Sequence, residues 1–189
     1  NGSSFGPDTE MGRRFDQSMG GALRGFKRGM YEGALRQAAL ARWPGTVPAG
    51  RVSDEPWAFW DFLPTAAELA GAKLPGGFNP DGFSLVAFLK GGPAPQRAYF
   101  YWEVHEQASI QAVRFGDWKA VKNGPNQPVE LYDLKTDTAE KNDLSAEKPD
   151  LVAKARAIMS QARVDIPEWP MVANQKQRTE AGRKAGLVQ

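Results

Sequence analysis

The sequence has no cysteine, one histidine and a net charge of only +2. Without cysteine, disulfide frameworks and thiolate zinc sites are excluded. The small net charge argues against nucleic acid as a partner. No apolar run approaches the roughly 20 residues that a membrane-spanning helix requires, so no membrane span is expected. What is present, 41% hydrophobic and 24% charged residues, is typical of a globular segment that can bury a core.

The most informative segment holds Lys27 between Gly25 and Gly29. Glycines on both sides allow a tight turn and the close approach of a ligand. The lysine ammonium is a compact cation with three hydrogen-bond donors, which suits an anionic group. The residues alone leave open a second interpretation, in which Lys27 is a solvated loop lysine beside Arg24 and Arg28.

The segment 25–36 and several later motifs resemble the sulfatase family of the alkaline-phosphatase-like superfamily. The family pattern is Gly-Lys-Gly-x-x-Tyr-Glu-Gly-Gly-x-Arg, and this chain has Gly-Phe-Lys-Arg-Gly-Met-Tyr-Glu-Gly-Ala-Leu-Arg, so Ala34 departs from it. Further motifs of the family follow in the same order over residues 1 to about 155. They lie at 1–2, 61–65, 81–85, 97–103, 112–119 and 131–134.

The resemblance implies roles for three residues. Lys27 would contact the sulfate ester as a catalytic and substrate-binding residue. Asn1 would be the second member of an Asp-Asn pair that ligates a divalent metal, usually Ca2+, because an amide oxygen is a hard ligand. His105, at the end of a predicted strand, would contact substrate. The residues alone leave His105 equally open to being a hydrogen-bonded hairpin histidine.

The resemblance also implies that the chain is the C-terminal part of a formylglycine-dependent, arylsulfatase-like enzyme. The Cys/Ser-x-Pro-x-Arg motif that supplies the nucleophile is not in this sequence. We therefore expect a sulfuric ester hydrolase that acts on aryl or carbohydrate sulfates only together with an N-terminal sulfatase portion, in the periplasm or outside the cell. The alternatives are a non-catalytic module derived from a sulfatase and a related phosphoester hydrolase.

The predicted fold class is α/β. Residues 1–95 would form the C-terminal end of the large alkaline-phosphatase-like domain, with a strand at 35–43, a helix at 61–71 and a short helix at 83–89. Residues 96–171 would form a small antiparallel sheet with one packed helix, and 172–189 a mobile tail.

Local patterns specify the small sheet in more detail. Four aromatic and β-branched runs, at 98–104, 109–115, 118–122 and 130–134, are separated by turn residues and predict a meander. Apolar residues at helical spacing predict a helix over 149–163. Tyr31, Glu32 and Arg36 are expected to support the Lys27 segment, with Glu32 and Arg36 as an ion pair.

Overall fold

A computed structural model describes residues 9–11, 13–14, 23–106 and 108–186. These residues divide into two compact units: one joins the described residues before 38 to those from 98 onward, and the other comprises 38–97. The Lys27 segment therefore belongs to the same unit as the small sheet, rather than to the unit that follows it in sequence.

The secondary structure confirms the predicted antiparallel meander. The strands are β1 Phe100–Val104, β2 Ile110–Phe115, β3 Trp118–Lys122 and β4 Val129–Asp133. They pair in the order β1-β2-β3-β4, and Gly116, at φ +60°, forms the tight turn between β2 and β3. The helices are α1 Glu32–Leu35, α2 Phe62–Leu69, α3 Val86–Leu89, α4 Pro149–Ala162 and α5 Gln175–Lys184. In the described part of the chain, no helix has the length and apolarity to cross a bilayer.

One face of the sheet packs against α4, as the spacing of apolar residues in 149–163 predicted. The core on this side consists mainly of aliphatic side chains from β2, β3, β4 and α4. Because strand side chains alternate between faces, residues 113 and 131 point to α4 while 112 and 121 point away. Both faces of the sheet are therefore available for burial.

The opposite face of the sheet is covered by residues 30–35, which include α1. Met30 packs with Ala112 and Val121, and Tyr31 and Leu35 lie at the edge of this second core. The segment that carries Lys27 is thus attached to the sheet by its own apolar residues.

The unit comprising 38–97 is organised around Asp61, which is fully buried. Its carboxylate accepts hydrogen bonds from the backbone N–H groups of Ala58 and Phe83, at 2.8 and 2.9 Å, and from Arg97 at 2.8 Å. The predicted helix after Asp61 forms as α2, and Gly71 follows it with φ +63°.

The predicted strand at 35–43 is wrong. Leu35 ends α1, and residues 36–43 form no strand and are exposed, with Leu40 fully so. A strand needs a partner for its backbone groups, and no strand among the described residues pairs with this segment.

The tail also differs from the expected mobile segment. Val172 is buried, and its backbone N–H and C=O bond to Ser109 Oγ and to the Ser109 N–H, each at 2.8 Å. Asn174 then caps α5 by accepting a hydrogen bond from the Gln177 N–H at 3.0 Å. The composition of residues 172–189 predicted a mobile tail, since the local sequence does not reveal bonds to a residue as distant as Ser109.

Candidate active-site loop and its supports

The Lys27 segment forms a loop that closes on itself. The Gly33 N–H donates to the Arg24 carbonyl oxygen at 2.8 Å, and the Gly29 N–H donates to the Phe26 carbonyl oxygen at 3.0 Å. Gly25 has φ +86°, which glycine adopts without strain. We refer to residues 24–33 as the Lys27 loop, and Lys27 lies in the turn that the Phe26–Gly29 hydrogen bond closes.

Gly33 is the point of closest approach in the Lys27 loop. A Cβ atom there would lie 2.5 Å from the Gly25 carbonyl oxygen and 2.7 Å from that of Arg24. Ala34 stands where the family pattern has a second glycine, and its methyl group is buried in the structure. The departure at Ala34 is therefore compatible with closure of the loop at Gly33.

We expect Gly33→Ala to lower the unfolding free energy of the chain by about 1–3 kcal/mol, because backbone must move to admit the methyl group. Gly76→Ala is the matched control: no atom lies within 4 Å of its added Cβ and its φ is not positive. That change should be neutral or stabilising by up to about 1 kcal/mol. Denaturant unfolding measures both, and equal effects at the two glycines would contradict the close approach.

The end of the loop is fixed by a buried cluster of charges. Lys119 Nζ lies 2.8 Å from Glu32 Oε1 and 3.0 Å from Glu140 Oε1, and Lys119 and Glu140 are fully buried. The Glu32 N–H donates to Glu140 Oε2 at 2.6 Å. Burial raises the pKa of Glu140 despite the neighbouring Lys119 ammonium. We refer to Glu32, Lys119 and Glu140 as the buried cluster.

The prediction that Glu32 and Arg36 form an ion pair is wrong. The Arg36 N–H bonds to the Glu32 carbonyl oxygen at 2.7 Å, while the Glu32 carboxylate faces Lys119. Arg36 is exposed, whereas Lys119 lies on the sheet face that Met30 covers. Lys119 lies two residues before Val121 in β3, so both side chains point to the same buried face, and this spacing of a lysine among core residues was the one feature of the sequence that set Lys119 apart.

A second network holds the start of the loop. The Arg24 guanidinium lies 3.8 Å from the centre of the Tyr31 ring and donates to Tyr132 Oη at 2.7 Å. Tyr31 donates to Glu130 at 2.7 Å and accepts from Asn123 at 2.7 Å. Burial and the Glu130 carboxylate raise the pKa of Tyr31 to about 12. Tyr31 is therefore a neutral structural phenol at physiological pH.

Lys27 itself is left available by these contacts. Its side chain is half-buried, and its ammonium has no hydrogen-bond or ion-pair partner among the described residues. The neighbouring Arg28 has φ +80°, unusual for a residue with a Cβ, and pairs with Glu106. The ion pair links the Lys27 loop to the segment directly after His105.

His105 lies in a polar cluster with both ring nitrogens engaged. Nδ1 is 2.8 Å from Ser109 Oγ and 2.8 Å from the Arg178 guanidinium, and Nε2 contacts the Glu103 carboxylate. Because Arg178 can only donate, Nδ1 accepts its hydrogen bond, and Nε2 carries the proton that Glu103 accepts. These contacts hold the ring as the hydrogen-bonded histidine that the residues alone left open, and they leave neither ring nitrogen free for proton transfer.

Glu103 gives the protein an expected pH dependence. Burial opposes its ionisation, but hydrogen bonds from Tyr101, His105 and Arg163 outweigh burial and hold the pKa of Glu103 below its usual 4.5. A lowered folded-state pKa stabilises the protein above pH 4.5, and this contribution is lost as the pH falls through the folded-state pKa.

We therefore expect Glu103→Gln to flatten the acid side of the stability profile as the pH falls below about 4.5. Glu147→Gln, at an exposed carboxylate, should leave the slope unchanged. Denaturant unfolding at a series of pH values measures both, and indistinguishable slopes for the two variants would refute this role for Glu103.

The metal ligand predicted at Asn1 lies outside the described residues. Among residues 9–11, 13–14, 23–106 and 108–186, no group of three or more acidic or histidine side chains could hold a metal ion. Two clefts formed by described residues, of about 500 and 310 Å³, are lined by neither Lys27 nor His105. The candidate site is the Lys27 loop with its supports.

Comparison with known families decides what this loop belongs to. Residues 24–165, which include the whole Lys27 loop and the meander, match the family model described as N-sulphoglucosamine sulphohydrolase, C-terminal. The chain belongs to this sulfatase family. Lys27 and His105 lie within the matched region, and Asn1 precedes it.

Curated relatives of the chain are sulfatases. Steryl-sulfatase of Mus musculus is 38% identical over 123 residues, or 62% of this chain, and arylsulfatase A of Homo sapiens is 43% identical over 103 residues, or 53% of it. The match spans only 20% of the length of each relative. The matched parts are the C-terminal portions expected from the order of the motifs.

Solved structures share the fold of the chain. Ps i-CgsB is 28% identical with a TM-score of 0.61, and the match covers 77% of this chain and 32% of that one. BT4656, solved in complex with its substrate D-glucosamine-2-N,6-O-disulfate, is 25% identical with a TM-score of 0.55, covering 64% and 26%. These similarities confirm the expected α/β fold class with its small antiparallel sheet.

Proposed function

We propose that this chain is the C-terminal part of an enzyme that hydrolyses sulfate monoesters, and that Lys27 binds the sulfate group. The observation that carries the proposal is the available ammonium of Lys27 in a closed loop, whose ends are fixed to β4 by the Arg24–Tyr132 hydrogen bond and to β3 by the Glu32–Lys119 ion pair. The loop backbone that carries this cation is positioned before substrate arrives, which limits the reorganisation that electrostatic stabilisation would otherwise require.

Lys27 would act on the charge that develops as the S–O bond breaks. Its ammonium donates hydrogen bonds to sulfuryl oxygens, and it lowers the energy of negative charge that builds on the leaving oxygen. The Lys27 side chain does not serve as the nucleophile, which in this proposal is a formylglycine of the N-terminal sulfatase portion.

We infer that His105 contributes to substrate binding beside the Lys27 loop. The Arg28–Glu106 ion pair supports this inference, since it ties the segment after His105 to the residue next to Lys27. The contacts of both ring nitrogens fix the orientation of the imidazole, so a change at His105 should alter KM more than kcat.

The metal of the proposed enzyme is Ca2+, with Asn1 as one ligand. The amide oxygen of asparagine suits calcium, which takes roughly six to eight oxygen ligands. The remaining ligands would belong to the N-terminal sulfatase portion. When bound, the metal would supply positive charge near the sulfate group.

The N-terminal sulfatase portion is the proposed protein partner of this chain. Large apolar side chains around α2 support this, because Phe59 is 88% exposed and Phe62 63% exposed, and the two rings stack with centroids 6.3 Å apart. Contiguous exposed apolar surface of this kind marks an interaction site. We place the enzyme in the periplasm or outside the cell, by its resemblance to exported sulfatases.

The substrate class can be tested on the natural full-length protein. We expect hydrolysis of an aryl sulfate or a sulfated sugar, with the corresponding phosphate monoesters turned over far more slowly. Preference for the phosphate esters would support the related phosphoester hydrolase instead. Hydrolysis of neither ester class, by protein that is folded and contains its N-terminal portion, would support the non-catalytic module.

A further inference from the structure

The buried cluster holds more charge than a stable core requires. Burying the charges of Lys119 and its two carboxylate partners away from water is costly, and apolar residues of similar volume are often as stable. Charges retained under such a cost are best attested where they fix one arrangement of the chain rather than add stability.

Glu140 contacts both ends of the Lys27 loop. Its carbonyl oxygen accepts a hydrogen bond from Arg24 at 3.0 Å, and its carboxylate accepts one from the Glu32 N–H at 2.6 Å. Arg24 begins the loop, and Glu32 lies next to Gly33, which closes it. One residue from a distant part of the chain thus holds the two ends together.

The backbone of Glu140 supports the same conclusion. Its φ of +53° lies in the left-handed region, which a residue with a Cβ occupies only with strain. The conformation aims the carbonyl oxygen at Arg24 and the carboxylate at Glu32 at the same time. Lys119 then fixes the carboxylates of Glu32 and Glu140 relative to β3.

We propose that Glu32, Lys119 and Glu140 are positioning residues that set where the Lys27 ammonium stands. They touch neither substrate nor the reacting atoms and act through the Lys27 loop. The assignment rests on the proposed function for its catalytic consequence, but the placement of the loop can be measured without any assay of activity.

Glu32→Met is the informative variant. It removes one carboxylate and leaves Lys119 paired with Glu140, so the chain keeps a neutral buried pair and should fold. In the natural full-length protein we expect kcat to fall by about 10- to 100-fold, because a misplaced group near the reacting centre costs about that much. Inhibition by inorganic sulfate should weaken in parallel. Glu32→Gln keeps an oxygen that accepts from Lys119 and should restore kcat to within about threefold.

The decisive comparison combines Glu32→Met with Lys27→Ala. If the buried cluster acts through Lys27, the double variant is no slower than Lys27→Ala alone, and a full further loss would overturn the proposal. Hydrogen exchange of the Gly29 and Gly33 amides gives a second readout, expected to be faster in Glu32→Met and unchanged in Glu32→Gln. Unchanged exchange in Glu32→Met would overturn the positioning role whatever the kinetics, whereas normal turnover by Lys27→Ala would overturn the proposed function instead.

Discussion

Lys27→Ala in the natural full-length protein is expected to lower kcat for a sulfate ester by about 100- to 1,000-fold. Losses of this size follow the removal of one preorganised donor to developing negative charge. The Lys27 ammonium fits that description because the loop around it is closed by Gly33 and fixed at both ends, while the ammonium has no partner among the described residues. Steady-state kinetics with an aryl sulfate measures the effect.

Lys135→Ala is the matched control for this prediction. Lys135 is an exposed lysine two residues after the end of β4, outside the Lys27 loop and the buried cluster. Its removal should leave kcat and KM unchanged, since exposed substitutions of this kind perturb little. Lys27→Arg separates charge from shape: a planar guanidinium in place of a compact ammonium should recover only part of the rate. Turnover by Lys27→Ala within a few-fold of the unmodified protein would refute the assigned role.

Lys119→Met is expected to lower the unfolding free energy by about 3–5 kcal/mol. The substitution leaves the carboxylates of Glu32 and Glu140 buried beside each other without a cation, and one of them must then take up a proton. Burial already raises the pKa of Glu140 when Lys119 is present, so the loss should grow as the pH rises. Denaturant unfolding of the full chain at two pH values measures both effects.

Lys122→Met in the same strand is the control for Lys119→Met. Lys122 is half-exposed and belongs to the other face of β3, away from the buried cluster. We expect a change of no more than about 0.5 kcal/mol. The double variant Glu32→Met with Lys119→Met should recover part of the stability lost in Lys119→Met alone, because it no longer buries the Glu32 carboxylate without a cation. A loss in Lys119→Met no larger than in Lys122→Met would contradict the importance of the buried cluster.

Local sequence was sufficient for the meander and for α4. Each strand is a short run of aromatic and β-branched residues bounded by turn residues such as Gly116, and α4 begins at Pro149 with apolar residues at helical spacing. These signals act between residues close in the chain. They therefore survive in the sequence without knowledge of the fold.

The same local reasoning failed where the deciding partner was remote or lacking. The apolar run around Leu40 had the composition of a strand, but pairing requires a neighbour that the described residues do not provide. The tail had the composition of a mobile segment, yet Ser109 holds Val172 from 63 residues away. Propensity describes what a segment favours, and burial and pairing decide what it adopts.

For the candidate site, the sequence by itself determined Lys27, its flanking glycines and the family to which they belong. Only the tertiary structure decided what holds that loop. Glu32 reaches Lys119 across 87 residues and Glu140 across 108, and the nearby Arg36 is not its partner. The reason is physical: a glycine-flanked turn is specified by adjacent residues, whereas a buried charge is specified by whichever opposite charge the folded sheet brings within reach of it.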